Sequence, residues 1–290
     1  MASDSSIITV TVLSLVKNNE TWLAYVFSRL QQLEQRCTHV KFSYAFFEND
    51  SKDKTRDLIR DFLKGKDPEK NKLITASLPP YLNRSVNYDR VKRLGDLRNA
   101  LLHEMRPFTS DYTLMIDSEI YFEVEAFVRM LEVIQRRTDL AMITPYASQI
   151  FTATQLAQQG MIKEGDAKRF QESNKIFTVN HYYDTFAFVD TQGRNYWPKC
   201  VFPQCKQCDP EEHKKAAVDS DGLCIVNSAF GGFALIRSSI LNDPRVKWDT
   251  VDLFDKYALC EHILFCNSVR IVSGKKIAVD TQANKVHWIG

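Results

Sequence analysis

Apolar residues return along the first half of the chain with two alternating periods. Ile7–Val16 is a nearly unbroken run of Ile, Val, Leu and Thr, stopped by Lys17-Asn18-Asn19, and reads as a strand. In Glu20–Arg36, Leu23, Val26, Leu30 and Leu33 recur at helical spacing. Val40–Phe47 predicts a second strand. Ser51 is placed to cap a helix carrying Leu58, Ile59, Phe62 and Leu63 on one face and ending at Gly65. A short strand over Leu73–Ala76, a helix around Leu94–Met105 and a strong strand at Tyr112–Ile116 follow. Val124–Arg136 is amphipathic through Phe127, Val128, Leu131 and Ile134, and Leu140–Thr144 makes a fifth strand.

Strand–helix alternation of this kind predicts an α/β fold with a mixed, mostly parallel sheet flanked by helices on both faces. In such sheets ligands sit beyond the carboxyl ends of the strands, so the residues just after each strand are where chemistry is expected. The second half is less regular. Residues 150–175 are polar, strands are expected at Ile176–Val179, Phe186–Val189, Leu223–Val226 and Phe233–Ile236, and Arg194–Gly222 reads as a long loop. Loops of that length are uncommon unless functional. With no internal repeat, low-complexity tract or linker, 1–290 reads as a single domain.

Composition narrows the partners. Against 38 Lys and Arg stand 36 Asp and Glu, a net charge of +2, so no electrostatic footprint for nucleic acid is visible. No run approaches the roughly 20 apolar residues of a membrane helix, and Met1–Ser6 lacks the basic start of a secretion signal. The 7 Cys are scattered and odd in number, which fits reduced thiols in a cytosolic protein. Sequons fall at Asn19, Asn49 and Asn83. Cys200, Cys205 and Cys208, with His213 nearby, leave two readings open, free thiols or a structural zinc.

Candidate chemistry gathers at the strand ends. Glu48–Thr55 follows the second strand, and Asp117-Ser118-Glu119 follows the Tyr112–Ile116 strand. In extended backbone, residues 117 and 119 lie on one side, and two carboxylates there suit a hard divalent ion shared with a diphosphate. A solvated strand end would read the same way. Ala229–Phe233 brings a Gly pair before a strand, either a turn or a floor for a sugar ring. Glu261 opens a helix, where the dipole favours its charge, and it or His262 would serve as a general base. His287 follows the apolar Ile277–Val279, and taken alone is as well explained by packing beside Trp288.

Taken in order, these pieces resemble the glycosyltransferase A (GT-A) fold, a Rossmann-like domain that uses nucleotide-sugar donors. Phe46–Leu63 is similar to its second-strand motif, and Arg93–Leu101, with Gly95, Arg98 and Asn99, to the segment leading into its metal strand. Asp117-Ser118-Glu119 stands where its Asp-x-Asp motif falls, with Glu in third place. Phe230-Gly231-Gly232 resembles its acceptor-side glycine loop, Cys260-Glu261-His262 its Glu-Asp motif, and Asn284–Trp288 its C-terminal metal segment. Phe46–Thr55, Tyr183–Phe186 and Cys-Glu-His are also similar to capsule-type fungal mannosyltransferases and to soluble glycosyltransferases encoded by large algal viruses, which would act in a host cytosol.

The resemblance implies a metal-dependent glycosyltransferase acting on a carbohydrate acceptor, with UDP the nucleotide favoured by analogy. It implies that 1–145 binds the nucleotide and 146–290 the acceptor, and that Asp117, Glu119 and His287 hold Mn²⁺ or Mg²⁺. Val16, Asn18, Glu48, Asp50, Arg98, Asp117, Ser118, Gly231 and Gly232 would line the donor site. Glu261 would be the base of an inverting reaction, with His262 as the alternative; a retaining enzyme would need neither. Tyr182, Tyr183, Tyr196 and Trp197 are candidates for stacking on sugars. Two other functions compete: a sugar nucleotidyltransferase, disfavoured because Ser14–Asn19 lacks the Gly-rich loop such enzymes carry, and a non-catalytic carbohydrate-binding protein, disfavoured by the intact carboxylate pair. Acidic residues converging at the strand ends predict a strongly acidic pocket beneath the near-neutral total.

Overall fold

β1 (Ile8–Val16) is an inner strand of a nine-stranded sheet in the computed structural model, which describes residues 7–77, 87–152, 176–179, 182–195, 217–253 and 257–289. Its unbroken apolar run is explained by cover on both sides. Val10 and Val12 join the core under α1 (Glu20–Arg36), α2 (Thr55–Leu63) and α4 (Val124–Arg136), while Leu13 joins the core under α3 (Tyr88–Met105), α5 (Ser238–Leu241) and α6 (Glu261–Ser273). β2 (Val40–Asn49) and β3 (Lys72–Ala76) extend the sheet from one edge of β1, and β4 (Tyr112–Ile116) lies on the other.

Beyond β4 the direction changes. β11 (Phe233–Arg237) is inserted antiparallel between β4 and β6 (Leu140–Pro145), with Phe233 opposite Ile116 and Leu235 opposite Ile143. β12 (Asp252–Leu253) and β13 (Tyr257–Ala258) form a separate antiparallel pair. β14 (Lys276–Asp280) runs parallel to β6, and β10 (Leu223–Ser228) and β9 (Val189–Asp190) finish the large sheet antiparallel. The expected mixed sheet with helices on both faces is present. Its parallel pairing is concentrated in the first half, because strands from the second half return in the opposite sense and share the sheet with the first.

A second sheet, in the order β5 (Ile120–Phe122), β15 (Val286–Ile289), β7 (Ala147–Thr152), β8 (Ile176–Val179), stands over the carboxyl end of β4. Of its strands, the apolar pattern had flagged only Ile176–Val179. The others are too short, or too mixed in polarity, to show a period.

Some boundaries move for local reasons. α3 begins at Tyr88, well before Leu94, because the Asn87 side chain caps it by accepting the Arg90 N–H at 3.0 Å. Ser51 does not cap α2: its hydroxyl accepts the Asn18 N–H at 2.9 Å, and Asp53 accepts the Thr55 N–H at the helix start. The strand expected at Phe186–Val189 shrinks to Val189–Asp190, since the Phe188 N–H bonds back to Thr185 and makes a turn. Cys37, Cys224, Cys260 and Cys266 are buried free thiols. Cys200, Cys205, Cys208, Tyr196, Trp197, Asn83 and the bulk of 150–175 and of the Arg194–Gly222 loop lie outside the described residues. No described helix is long and apolar enough to cross a membrane.

β11 makes the continuous sheet possible, and Leu235 at its centre is fully buried. Truncation of Leu235 to Ala should cost about 2–5 kcal/mol, read as a lowered urea midpoint with an unchanged slope.

Candidate active site

The first two strands end in loops that are tied together. The Asn18 side chain accepts the Lys52 N–H at 2.8 Å, and the Asn19 N–H donates to the Thr55 hydroxyl at 2.7 Å. Asn18 and Asp50 both adopt positive φ, 47° and 53°, a conformation that short polar side chains tolerate. Glu48 is buried inside this loop. One of its oxygens accepts the Ser51 N–H at 2.8 Å and the other pairs with Arg56 at 2.7 Å. Its part is to shape the turn, so the structure does not place it on an open wall. Asn19 and Asn49 are buried as well, which leaves neither sequon accessible to a glycan.

A cleft of about 320 Å³ opens beside these loops. Val16 and Lys17 line it from the end of β1, Asn49 from β2, and Asp117, Ser118 and Glu119 from the end of β4. α3 contributes Arg90, Leu94, Leu97 and Arg98, and Trp288 reaches in from β15. Three basic side chains thus share the cleft with two carboxylates, so the pocket is mixed in sign where a strongly acidic one was expected. Arg90, Leu94 and Arg98 fall on one face of α3 at spacings of four. That signal becomes readable once Asn87 is recognised as the start of the helix.

Arg98 is the electrostatic centre. Its Nη1 donates to Glu261 Oε1 at 2.5 Å and its Nη2 to Asp117 Oδ1 at 3.4 Å. Burial works against its charge, but Glu261 and then Asp117 hold its pKa above the ordinary arginine value. Burial pushes the Asp117 pKa up, Arg98 draws it back and Glu261 adds to the rise. The neighbouring Asn99 turns the other way and clamps the backbone of Trp248, donating to its carbonyl at 2.7 Å and accepting its N–H at 2.8 Å.

His262 is sequestered. The Trp248 indole donates to its Nδ1 at 3.2 Å, its ring stacks on Phe230 at 3.8 Å, and burial, with Arg98, holds its pKa well below the usual histidine range. With the Nδ1 lone pair taken, Nε2 carries the proton in the neutral ring, which leaves no basic nitrogen for a substrate.

Gly231 and Gly232 have φ of 65° and 64°, and both are buried. A Cβ on Gly232 would lie 2.6 Å from Ile120 Cδ1 and 2.6 Å from the Tyr183 hydroxyl. The pair acts through its backbone: the Asp117 N–H donates to the Gly232 carbonyl at 2.8 Å, and the Gly231 N–H to Asp184 Oδ2 at 2.7 Å. Asp184, which the sequence did not single out as a site residue, thereby joins the site. Tyr182 is fully buried in the core, so it cannot stack on a sugar. Tyr183 stacks on Trp288 with centroids 5.8 Å apart.

Asp117 is half-buried and Glu119 exposed on the cleft, a pair that fits a hard divalent ion completed by water and phosphate oxygens. The structure does not bring His287 to them. Alternate residues of a strand face opposite ways; Trp288 takes the cleft side, while His287 Nδ1 lies 2.6 Å from the Ser148 hydroxyl and its ring stacks on Tyr121. Among the described residues no group of three or more His, Cys, Asp and Glu side chains is placed to hold a metal.

Comparison with solved structures identifies the architecture. Residues 1–349 of S. aureus TarS superimpose with a TM-score of 0.51 at 11% identity, over 97% of this chain and 60% of that one. The same fragment in complex with UDP gives 0.50 at 12%, over 98% and 61%. GalNAc-T7 with UDP, GalNAc and Mn²⁺ gives 0.54 at 12%, over 99% and 45%. The chain therefore has the Rossmann-like GT-A fold, and spans less than two thirds of the length of each of these proteins. No protein-family model matches it, and no curated protein does.

Replacing Arg98 by Met leaves Glu261 and Asp117 facing each other without a cation. The loss should be about 3–5 kcal/mol at pH 8. Asp117, whose pKa burial already pushes up, would lose the guanidinium that draws it back, so stability should recover as the pH falls. Urea denaturation at pH 8 and pH 5 measures both effects.

Proposed function

We propose that the protein is a glycosyltransferase, moving a sugar from a nucleotide-sugar donor to a hydroxyl of a carbohydrate acceptor. The observation that carries this reading is the juxtaposition, in one cleft at the ends of β1, β2 and β4, of Lys17, Arg90 and Arg98 with Asp117 and Glu119. Cations at that position suit a diphosphate. The apolar Val16, Leu94, Leu97 and Trp288 suit a base or a sugar face. TarS solved with UDP and GalNAc-T7 solved with UDP and Mn²⁺ make UDP the first nucleotide to test.

Asp117 and Glu119 would hold Mn²⁺ or Mg²⁺. When bound, such an ion supplies positive charge against the leaving diphosphate. Arg98 adds a second positive charge on the same side, held there by Glu261. The inverting course with Glu261 as base, expected from the resemblance, changes in this reading: Glu261 is the anchor of Arg98, with Oε1 on the guanidinium and Oε2 accepting from the Cys260 thiol at 3.7 Å. Residues 1–145 supply most of the donor wall and 146–290 the acceptor side, in a single domain. Reduced buried thiols suit action in the cytosol.

A donor that binds folded protein alone raises its stability by about 2.7 kcal/mol at 100 times Kd. A melting-temperature panel of UDP-glucose, UDP-N-acetylglucosamine and GDP-mannose, each with and without Mn²⁺, should show one donor stabilising in a Mn²⁺-dependent way. Asp117→Ala should remove the Mn²⁺-dependent part. A panel in which no nucleotide or nucleotide sugar moves the transition overturns the reading.

A further inference from the structure

Three carboxylates gather around the Gly231–Gly232 corner, and they are held differently. Asp117 and Glu261 share the guanidinium of Arg98. Asp184 is held by main chain: its Oδ2 accepts the Gly231 N–H at 2.7 Å, and it accepts a second backbone N–H from Ala187. Its side chain makes no ion pair with a described residue. It also stays partly exposed, whereas Gly231, Gly232, Glu261 and His262 are buried.

We propose that Asp184 is a catalytic residue, the acceptor of the proton released by the attacking hydroxyl in sugar transfer. This rests on the glycosyltransferase reading above. In the step, the hydroxyl oxygen forms a bond to the anomeric carbon as the bond from that carbon to the diphosphate oxygen breaks. The nucleoside diphosphate leaves with the electron pair. The hydroxyl proton passes to the Asp184 carboxylate, which later releases it to water, so the products are the glycoside, the nucleoside diphosphate and one proton.

The neighbouring candidates are engaged elsewhere. Both oxygens of Glu261 have donors, and His262 has its lone pair on the Trp248 indole. The two N–H bonds fix the Asp184 carboxylate without neutralising it. Titratable groups facing it are Tyr182 and Tyr183 on its own loop, Asp117 at the end of β4, and Cys260, Glu261 and Cys266 at α6, with Arg98 between Asp117 and Glu261. Burial, and then Asp117 and Glu261, push the Asp184 pKa up to about 7 against the pull of the Gly231 and Ala187 N–H groups. A base of that strength is well matched to neutral pH.

Asp184→Asn removes proton acceptance while its amide oxygen can still accept from Gly231. The donor that stabilises the protein in the panel above is assayed for turnover on water and on methyl glycosides, with wild type, Asp184→Asn and Asp184→Glu. The Asn variant should show the wild-type donor-induced shift in melting temperature and lose turnover by about 10²–10⁴-fold. Wild-type turnover should fall as pH drops below about 7, the Asn variant should be flat there, and Glu should restore the pH limb with part of the rate. A carboxyl whose folded pKa is raised adds stability below its unfolded pKa and loses it as pH rises through the folded one. At pH 8 the Asn variant should therefore be at least as stable as wild type, so a loss of turnover there is not a loss of folded protein. Turnover by Asp184→Asn within twofold of wild type, with the same pH profile, overturns the assignment and leaves the glycosyltransferase reading standing. A wild-type protein that binds no donor removes that reading, and this proposal with it.

Discussion

A guanidinium held between two carboxylates from distant parts of the chain is the constraint on which the site depends. Arg98 comes from α3, Asp117 from the end of β4 and Glu261 from the start of α6. Burying any one of these charges alone would cost several kcal/mol, so the three elements must arrive together. Gly95 lets them. A Cβ there would already stand 3.4 Å from Trp248 Cβ and 3.7 Å from Glu261 Cβ, so that face of α3 lies close against both. Asn99, one residue after Arg98, ties the same helix to the Trp248 backbone. One helix thus sets the charge at the base of the cleft and the aromatic wall behind it.

The second constraint is the antiparallel insertion of β11. Pairing Phe233 with Ile116 brings Gly232 opposite the residue after β4, so the Asp117 N–H finds its acceptor there. The preceding Gly231 turns its own N–H toward Asp184. Positive φ at both glycines lets the chain make this corner against Ile120 and Tyr183 without a side chain between. A carboxylate from the second half of the chain is thereby set near Asp117 and Glu261. The second sheet completes the arrangement by carrying Trp288 into the cleft.

Much of this was legible from sequence where the signal was local. β1, β2, β3, β4 and β6 and their helices follow from apolar periods that packing on both faces of one sheet explains. Asp117-Ser118-Glu119, Arg98 and Val16 line the cleft because they immediately follow strands or ride on a helix feeding one. The losses were of two kinds. Glu48 and His262 are reactive types in the right neighbourhood, but their lone pairs are committed to Ser51, Arg56 and Trp248. His287 and Trp288 are adjacent, and which of them faces the cleft depends on the register of β15 against β5 and β7.

By itself, then, the sequence determined the alternation of elements, the strand ends that gather chemistry and the carboxylate pair at 117 and 119, because those depend on residues a few positions apart. Tertiary structure alone decided that β11 runs antiparallel, that Glu261 serves Arg98, that Trp288 and not His287 meets the cleft, and that Asp184 holds the Gly231 N–H. Each of these is a pairing across tens to more than a hundred residues. Its outcome rests on which donor reaches which lone pair once the chain is folded, and no local period records that.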